Sequence, residues 1–252
     1  MPEEIVTPPA APELSFSDKF TGILSSPGEV YSTIVDTEPK SSNWAIPVIL
    51  AIVMSIIFTL VVFNQPAIQN EMAVTQQDAL QKQVDAGKLT QEQMDQALEY
   101  SKTGSPMFMI FGSVGAVIGI FVMVFAYSLV YWVGGKIVVK SAVGYMKVVE
   151  VYGLSMFIAV VTTLLSMILI VAMGSLHAQP ALSLFVSKFN PKDTMHIILA
   201  AVNLFTFWQL FVVSVGLSKI WKTTLDKGLM VTGGVWVLWT LITAFAGLSF
   251  GG

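Results

Sequence analysis

Four polar residues that could act together lie in the apolar stretch around residue 200: His196, Asn203, Thr206 and Ser214. At about 100° per residue of helix, the first two and the last fall within about 20° of one another, and the third lies about 60° away. Gln209 points elsewhere. Inside a membrane, such a stripe either hydrogen-bonds to neighbouring helices or lines a path for a solute. The pattern predicts a helix-packing or partner-binding face, with a solute path as the alternative.

The composition excludes several kinds of catalytic and binding site. The chain has no cysteine, so thiolate nucleophiles, disulfides and iron–sulfur clusters are excluded. All 13 basic residues are lysine, and without the bidentate fork of arginine we expect no nucleic-acid binding. His177 and His196 lie apart in sequence with no carboxylate cluster beside them, so we expect no metal and no cofactor.

The apolar stretches also lack the residue sets of intramembrane hydrolases. Those enzymes need a serine with a base, paired aspartates or a set of metal ligands, and none of these spacings occurs within the stretches that we expect to cross the membrane. We therefore expect that the protein is not an enzyme.

Composition and hydropathy indicate an integral membrane protein. Of 252 residues, 54% are hydrophobic and only 12% are charged, and the mean hydropathy is +0.73. From Ser105 to Gly135 no side chain is charged, and a stretch of this kind is stable in lipid only as a helix that satisfies its own backbone. Tyr127, Tyr131 and Trp132 gather toward one end of it, and this pattern predicts that they lie at the headgroup boundary.

The fold class expected is an all-α, polytopic membrane helix bundle with five transmembrane helices and additional amphipathic interfacial helices. Residues 44–248 form the membrane domain, and a polar helical hairpin rich in glutamine is inserted at 64–105. The five crossings are predicted at Trp44–Phe63, Ser105–Gly135, Val151–Met173, Met195–Leu217 and Leu229–Leu248.

Small residues in the second crossing would let another helix approach closely. Gly115 and Gly119 form a small-xxx-small pair, and Gly112 with Ala116 forms a second pair beside it. These glycines are candidates for helix packing or partner binding, with ordinary packing inside the bundle as the simpler interpretation.

The amino-terminal region divides into a tail and an amphipathic segment. Residues 1–13 are acidic and rich in proline, which predicts a disordered tail. Residues 14–43 carry apolar side chains at helical spacing, and Ser26 with Glu29 is typical of a capping box. We expect two short helices anchored against lipid or the bundle through six residues: Phe20, Ile23, Leu24, Val30, Ile34 and Trp44.

The distribution of lysine predicts the orientation in the membrane. Seven lysines lie near the membrane on the side of the amino terminus and three lie on the other side: Lys40, Lys136, Lys140, Lys147, Lys219, Lys222 and Lys227, against Lys102, Lys188 and Lys192. By the positive-inside rule, the amino terminus faces the cytoplasm, and after five crossings the carboxyl terminus lies outside.

Three short segments resemble bacterial proteins of the Yip-domain (Ypt-interacting protein) family, which are five-helix membrane proteins. The first is the run from Phe20 to Tyr31, followed by Pro39 and by Trp44-Ala45-Ile46-Pro47. The others are Thr90-Gln91-Glu92-Gln93-Met94 in the polar loop and Gly134-Gly135-Lys136 at the end of the second crossing.

The resemblance implies a cytoplasmic amino terminus and no known catalytic centre. Eukaryotic relatives are associated with Rab-type GTPases and vesicle traffic, whereas some bacterial relatives look like accessory subunits of ABC-type exporters. The chain lacks the long acidic cytoplasmic tail of many eukaryotic members, which argues against GTPase binding and favours a bacterial inner membrane. No functional residue of the family can be assigned to a position here.

Two hypotheses about function follow. The first is a non-enzymatic membrane scaffold or accessory subunit, whose partners are the lipid bilayer and another integral membrane protein or complex. A homo-oligomer is also compatible with the small-residue faces. The second is a small permease or channel with a polar path along the fourth helix.

Overall fold

The computed structural model describes residues 14–100, 102–186, 189–190 and 193–246. The described residues form ten α-helices and one short 3-10 helix, and they contain no strand beyond one isolated bridge. In order these are α1 Phe16–Ser25, α2 Pro27–Ser32, α3 Ser41–Val62, α4 Pro66–Asp85, α5 Gln91–Tyr100, α6 Pro106–Val138, α7 Tyr145–Met173, the 3-10 helix Leu182–Phe185, α8 Thr194–Ala201, α9 Leu204–Ile220 and α10 Leu225–Ala246. The all-α class is confirmed. The predicted tail at 1–13 and the last two positions of the fifth crossing lie outside the described residues.

Four of the helices are long and apolar enough to cross a membrane. They are α3, α6, α7 and the stretch Leu225–Phe245 of α10, with mean hydropathies of 2.9, 2.5, 2.6 and 1.7. Each corresponds to one of the predicted crossings. Their lengths of at least 21 residues match the roughly 20 residues that the hydrocarbon layer requires.

The fourth predicted crossing is not one continuous helix but two shorter ones. Helix α8 ends at Ala201 and α9 begins at Leu204. Helix α9 has 17 residues, and at about 1.5 Å per residue it rises about 25 Å, less than the roughly 30 Å of the hydrocarbon layer. A count of five single-helix crossings is therefore replaced by four long helices and a helix in two parts.

Hydrogen bonds from the preceding loop compensate for the break. Asn203 is extended, and its side chain accepts from the Phe205 amide at 2.9 Å, which caps α9. The Leu182 amide donates to the Val202 carbonyl at 3.0 Å, and the Leu204 amide donates to the Pro180 carbonyl at 3.2 Å. Because the loop supplies these partners, the backbone can leave the helix without unpaired amides.

The two amino-terminal helices pack against the bundle. Ile23, Val30 and Ile34 are buried in the main apolar core beside residues of α7 and α9, and the Phe20 ring meets the Phe157 ring of α7 edge-on at 5.3 Å. Leu24 is half-buried on the same core. The structure thus places the apolar faces of α1 and α2 on protein.

The predicted capping box at Ser26 is wrong. The Ser26 side chain makes no capping hydrogen bond, although Ser26 is the residue before α2 and Pro27 takes its first position. A capping box does start α1, where Ser15 and Asp18 bond to each other's backbone amides.

The polar insert is a helical hairpin of α4 and α5. A capping box joins Thr90 and Gln93, whose amides donate to each other's side chains at 2.9 and 3.2 Å. Gly87 adopts a φ of +67° after α4, a conformation that costs glycine little. The hairpin docks near its base, where Ile68 is fully buried against Val62 and Ile170.

Candidate functional site

A buried ion pair near the start of α7 connects the amino-terminal region to the bundle. The Lys147 ammonium lies 2.7 Å from the Glu150 carboxylate, and their side chains are 7% and 0% exposed. Lys147 also donates to the Thr37 carbonyl at 2.8 Å. Lys147 and Glu150 lie in the first two turns of α7, before the uncharged crossing that was expected from Val151.

The carboxylate of Glu150 is the centre of a wider network. Its Oε1 accepts from the Lys40 amide at 3.1 Å and from the Asn43 side chain at 2.6 Å. Asn43 in turn accepts from Lys19 of α1 at 2.8 Å. The network therefore holds α1, the segment before α3, and α7 together, and sequence reasoning missed it.

The second feature is the outward surface of α6, called the α6 face below. At about 100° per residue, six of its residues lie within about 60° of one direction, and they are Phe111, Val114, Gly115, Ile118, Val122 and Leu129. Only 11% of the apolar stretch of α6 is buried, compared with 28% for each of the other three long helices. The five side chains on this face are 50–66% exposed.

The predicted glycine candidates take different positions on α6. A Cβ added at Gly115 or Gly119 would meet no atom of the described residues within 4 Å. A Cβ at Gly112 would meet Thr59 of α3 at 3.6 Å, an ordinary contact. Gly112 thus lies toward α3, while Gly115 lies on the α6 face and Gly119 at its edge.

The third feature is a cavity of about 130 Å³ between α6, α7, α9 and α10, called the tyrosine pocket below. Its polar lining consists of Tyr127, Tyr131, Tyr152, Thr206 and Gln209, and Trp236 and Trp239 add aromatic walls. The ring centroids of the three tyrosines form a triangle with sides of 5.7–6.1 Å.

Two of the three aromatic residues expected at the headgroup boundary line the pocket. Helix α6 continues to Val138, so Tyr127 and Tyr131 lie well inside the helix and not at its end. Tyr131 is 3% exposed, because neighbouring side chains of the bundle cover it. Trp132 has a charged neighbour, because the Lys136 ammonium lies 5.3 Å from the centre of its ring.

The four residues of the predicted polar stripe are not brought together. Asn203 caps α9, Thr206 lines the tyrosine pocket, and Ser214 lies 2.6 Å from the Thr232 hydroxyl of α10. The face argument fails because it assumed one continuous helix. Gln209, assigned to another face, lines the pocket with Thr206 and donates to Ser155 of α7 at 3.3 Å.

His196 belongs to a cluster on the side of the membrane where the hairpin lies, together with His177. The Phe189 ring stacks on His177 at 4.2 Å and on His196 at 5.6 Å. His177 Nε2 lies 3.3 Å from the Glu71 carboxylate of α4. Burial lowers the pKa of His177, and the Glu71 carboxylate partly opposes this shift. Among the described residues, no group of three or more side chains is placed to hold a metal ion.

The remaining predicted anchor, Trp44, lies at the contact between α3 and α7. Its ring meets the Phe125 ring edge-on at 5.4 Å, and its Cα would lie 2.6 Å from a Cβ added at Gly153. Gly153 therefore permits the close approach of the two helices.

Comparison with known proteins gives one match. The family model described as the Yip1 domain matches residues 21–247, which is most of the chain. No curated protein and no solved structure matches the chain.

Proposed function

We propose, on the premise that this chain belongs to the Yip1 domain family, that it is a non-enzymatic integral membrane scaffold or accessory subunit. It binds another membrane protein complex through the α6 face. The observation that carries the proposal is the exposure of this face in a helix of 33 residues.

The physical argument rests on small residues more than on apolar area. In lipid, covering an apolar side chain gives little hydrophobic gain, so helices associate through close packing and hydrogen bonds. Gly115 and Gly119 leave open space on α6 into which a partner helix fits closely. Phe111 and Ile118 flank this space and supply side chains for packing.

The partner class and the membrane follow from the family resemblance and the lysines. An ABC-type exporter of a bacterial inner membrane is the partner that the resemblance suggests. Lys136, Lys219 and Lys222 lie at or just beyond the ends of α6 and α9, which supports a cytoplasmic amino terminus. With α8 and α9 together making the fourth crossing and α10 the fifth, the carboxyl terminus lies outside.

Affinity purification from native membranes tests the proposal. We expect a second integral membrane protein to copurify in mild detergent, and the variant Gly115→Leu to lose it because the side chain fills the open space. Gly234→Leu on α10 is the matched control, since a Cβ there also meets no described atom within 4 Å. Recovery of the chain alone across several mild detergents, or retention of the partner by Gly115→Leu, would contradict the proposal.

A small permease is the second candidate, and the broken helix favours it. Transporters commonly place substrate sites at discontinuous helices, and here the break at Val202 and Asn203 precedes the pocket residues Thr206 and Gln209. Flux measurements on proteoliposomes test it. Solute transport that is lost in Asn203→Ala would support a permease, and the absence of such transport would remove it.

A further inference from the structure

The tyrosine pocket lies deep in the membrane part of the protein. At about 1.5 Å per residue, Tyr127 lies about 16 Å along α6 from its end at Val138, and Gln209 lies about 16 Å along α9 from its end at Ile220. Half of the hydrocarbon layer is roughly 15 Å thick. The pocket therefore lies between the ends of α6 and α9, inside the part of the bundle that we expect to cross the membrane.

The pocket presents polar groups that lack partners. The hydroxyls of Tyr127, Tyr131 and Tyr152 make no hydrogen bond to any residue that the structure describes, and none of them is a fully buried atom, so they remain accessible from the cavity. Buried hydroxyls normally have a partner, because leaving one unpaired in an apolar medium is unfavourable. Three hydroxyls without a protein partner around one cavity can donate hydrogen bonds to a molecule that enters it.

The lining restricts the charge and the size of that molecule. Every pocket residue is uncharged, so a charged headgroup would have no counter-ion there. The volume of about 130 Å³ compares with a cavity of roughly 150 Å³ that holds benzene. The ligand head is therefore uncharged and has about the size of one six-membered ring, which the tyrosine and tryptophan walls can stack against.

A second cavity leads from the pocket to lipid. This apolar groove of about 230 Å³ lies between α6 and α10 and shares Tyr127, Val235 and Trp239 with the pocket. Its outer walls include Met123, Val130, Leu238 and Ile242, which are 38–63% exposed. The groove can hold an apolar chain that continues from the ring into the bilayer.

We propose that the tyrosine pocket and the apolar groove together bind an uncharged, lipid-dissolved molecule with one hydrogen-bond-accepting ring and an apolar chain, the chemistry of a prenylated quinone. The ring carbonyls accept hydrogen bonds from the tyrosine hydroxyls, and the chain lies between α6 and α10. A phospholipid fits less well, because its headgroup is charged and remains at the membrane surface.

Tryptophan fluorescence of the full chain in phosphatidylcholine nanodiscs tests this site. The probe is a benzoquinone with a decyl chain, because quinones quench tryptophan on contact and Trp236 and Trp239 line the pocket. We expect a saturable quenching component on top of the linear, collisional one. Tyr131→Phe should weaken saturable binding about fivefold, the effect of one hydrogen bond.

Two further variants keep the test decisive. Tyr100→Phe is the matched control, because Tyr100 is 80% exposed on the hairpin, and its affinity should equal that of the parent chain. Should Tyr131→Phe fail to fold, Val235→Phe at the junction of pocket and groove should weaken binding by narrowing the passage. Quenching without a saturable component, or unchanged affinity in the folded pocket variant, would overturn the proposal. Equal competition by decyl alcohol would overturn the ring requirement and leave a site for apolar chains only.

Discussion

Replacing Glu150 by glutamine tests whether the buried ion pair holds the amino-terminal helices on the bundle. The Glu150 side chain is fully buried, and it accepts hydrogen bonds from the Lys40 amide, Asn43 and Lys147. Glutamine keeps one carbonyl acceptor but directs an NH₂ group or a neutral oxygen at the Lys147 ammonium. The cation then remains in a site that is 7% exposed without a counter-ion.

The expected loss is large because an unpaired charge stays buried. Removing one partner of a buried ion pair costs about 3–5 kcal/mol. The Thr37 carbonyl, 2.8 Å from Lys147 Nζ, still accepts a hydrogen bond, so we expect the lower part of this range. Lys147→Met combined with Glu150→Gln removes both charges and should cost less than the sum of the two single changes by about 2 kcal/mol.

Unfolding in mixed micelles, followed by tryptophan fluorescence, measures the free energy of unfolding. Hydrogen exchange of residues 14–40 locates the effect, because α1 and α2 should lose protection first. The exposed pair of Lys222 and Asp36, with side chains 70% and 79% exposed, is the matched control, and Asp36→Asn should cost less than about 1 kcal/mol. A Glu150→Gln loss as small as that of the control, or additive single changes, would refute the reasoning.

Two further predictions concern helix packing and pH. Gly153→Ala should lower the free energy of unfolding by about 1–3 kcal/mol, because the added Cβ would lie 2.6 Å from the Trp44 Cα and push α3 away from α7. Gly115→Ala is the control, because its Cβ meets no described atom, and it should change the free energy of unfolding by less than about 0.5 kcal/mol. Equal effects of the two variants in the same micelle assay would contradict this prediction. Acidification from pH 7.5 to 5 should weaken docking of α4. Burial lowers the pKa of His177 from its ordinary 6.5, so the folded state binds fewer protons than the unfolded chain. The contribution of neutral His177 to stability is therefore present above about pH 6.5 and is lost as the pH falls. Hydrogen exchange of α4 measures this, Glu71→Gln should deepen the loss, and pH-independent protection would contradict it.

The four long helices could be predicted from sequence because their signal is local. Long uncharged stretches have one stable form in lipid, and α3 begins and ends within three residues of the predicted Trp44–Phe63. The start of α7 was predicted six residues late, because Lys147 and Glu150 count as loop charges when each is considered alone. Their spacing of three residues is that of a helical ion pair, and this was the available signal.

The break between α8 and α9 could not be predicted because its cause is distant in sequence. The amides and carbonyls freed at Val202 and Leu204 are paired by Pro180 and Leu182, and nothing in the local pattern indicates this. The tyrosine pocket could not be predicted for the same reason. Tyr152 lies on another helix than Tyr127 and Tyr131, and only the tertiary packing brings the three rings together.

Photo-cross-linking in native membranes tests the central claim, that the α6 face binds another membrane protein. Benzoylphenylalanine replaces Val114, which is 50% exposed on that face, or Val124, which is 1% exposed on the opposite side of the same helix. We predict that position 114 gives an adduct with a second integral membrane protein and that position 124 gives none. Adducts with lipid alone at position 114, or the same protein adduct from both positions, would contradict the account, and an adduct with the mass of two copies would identify the partner as the chain itself.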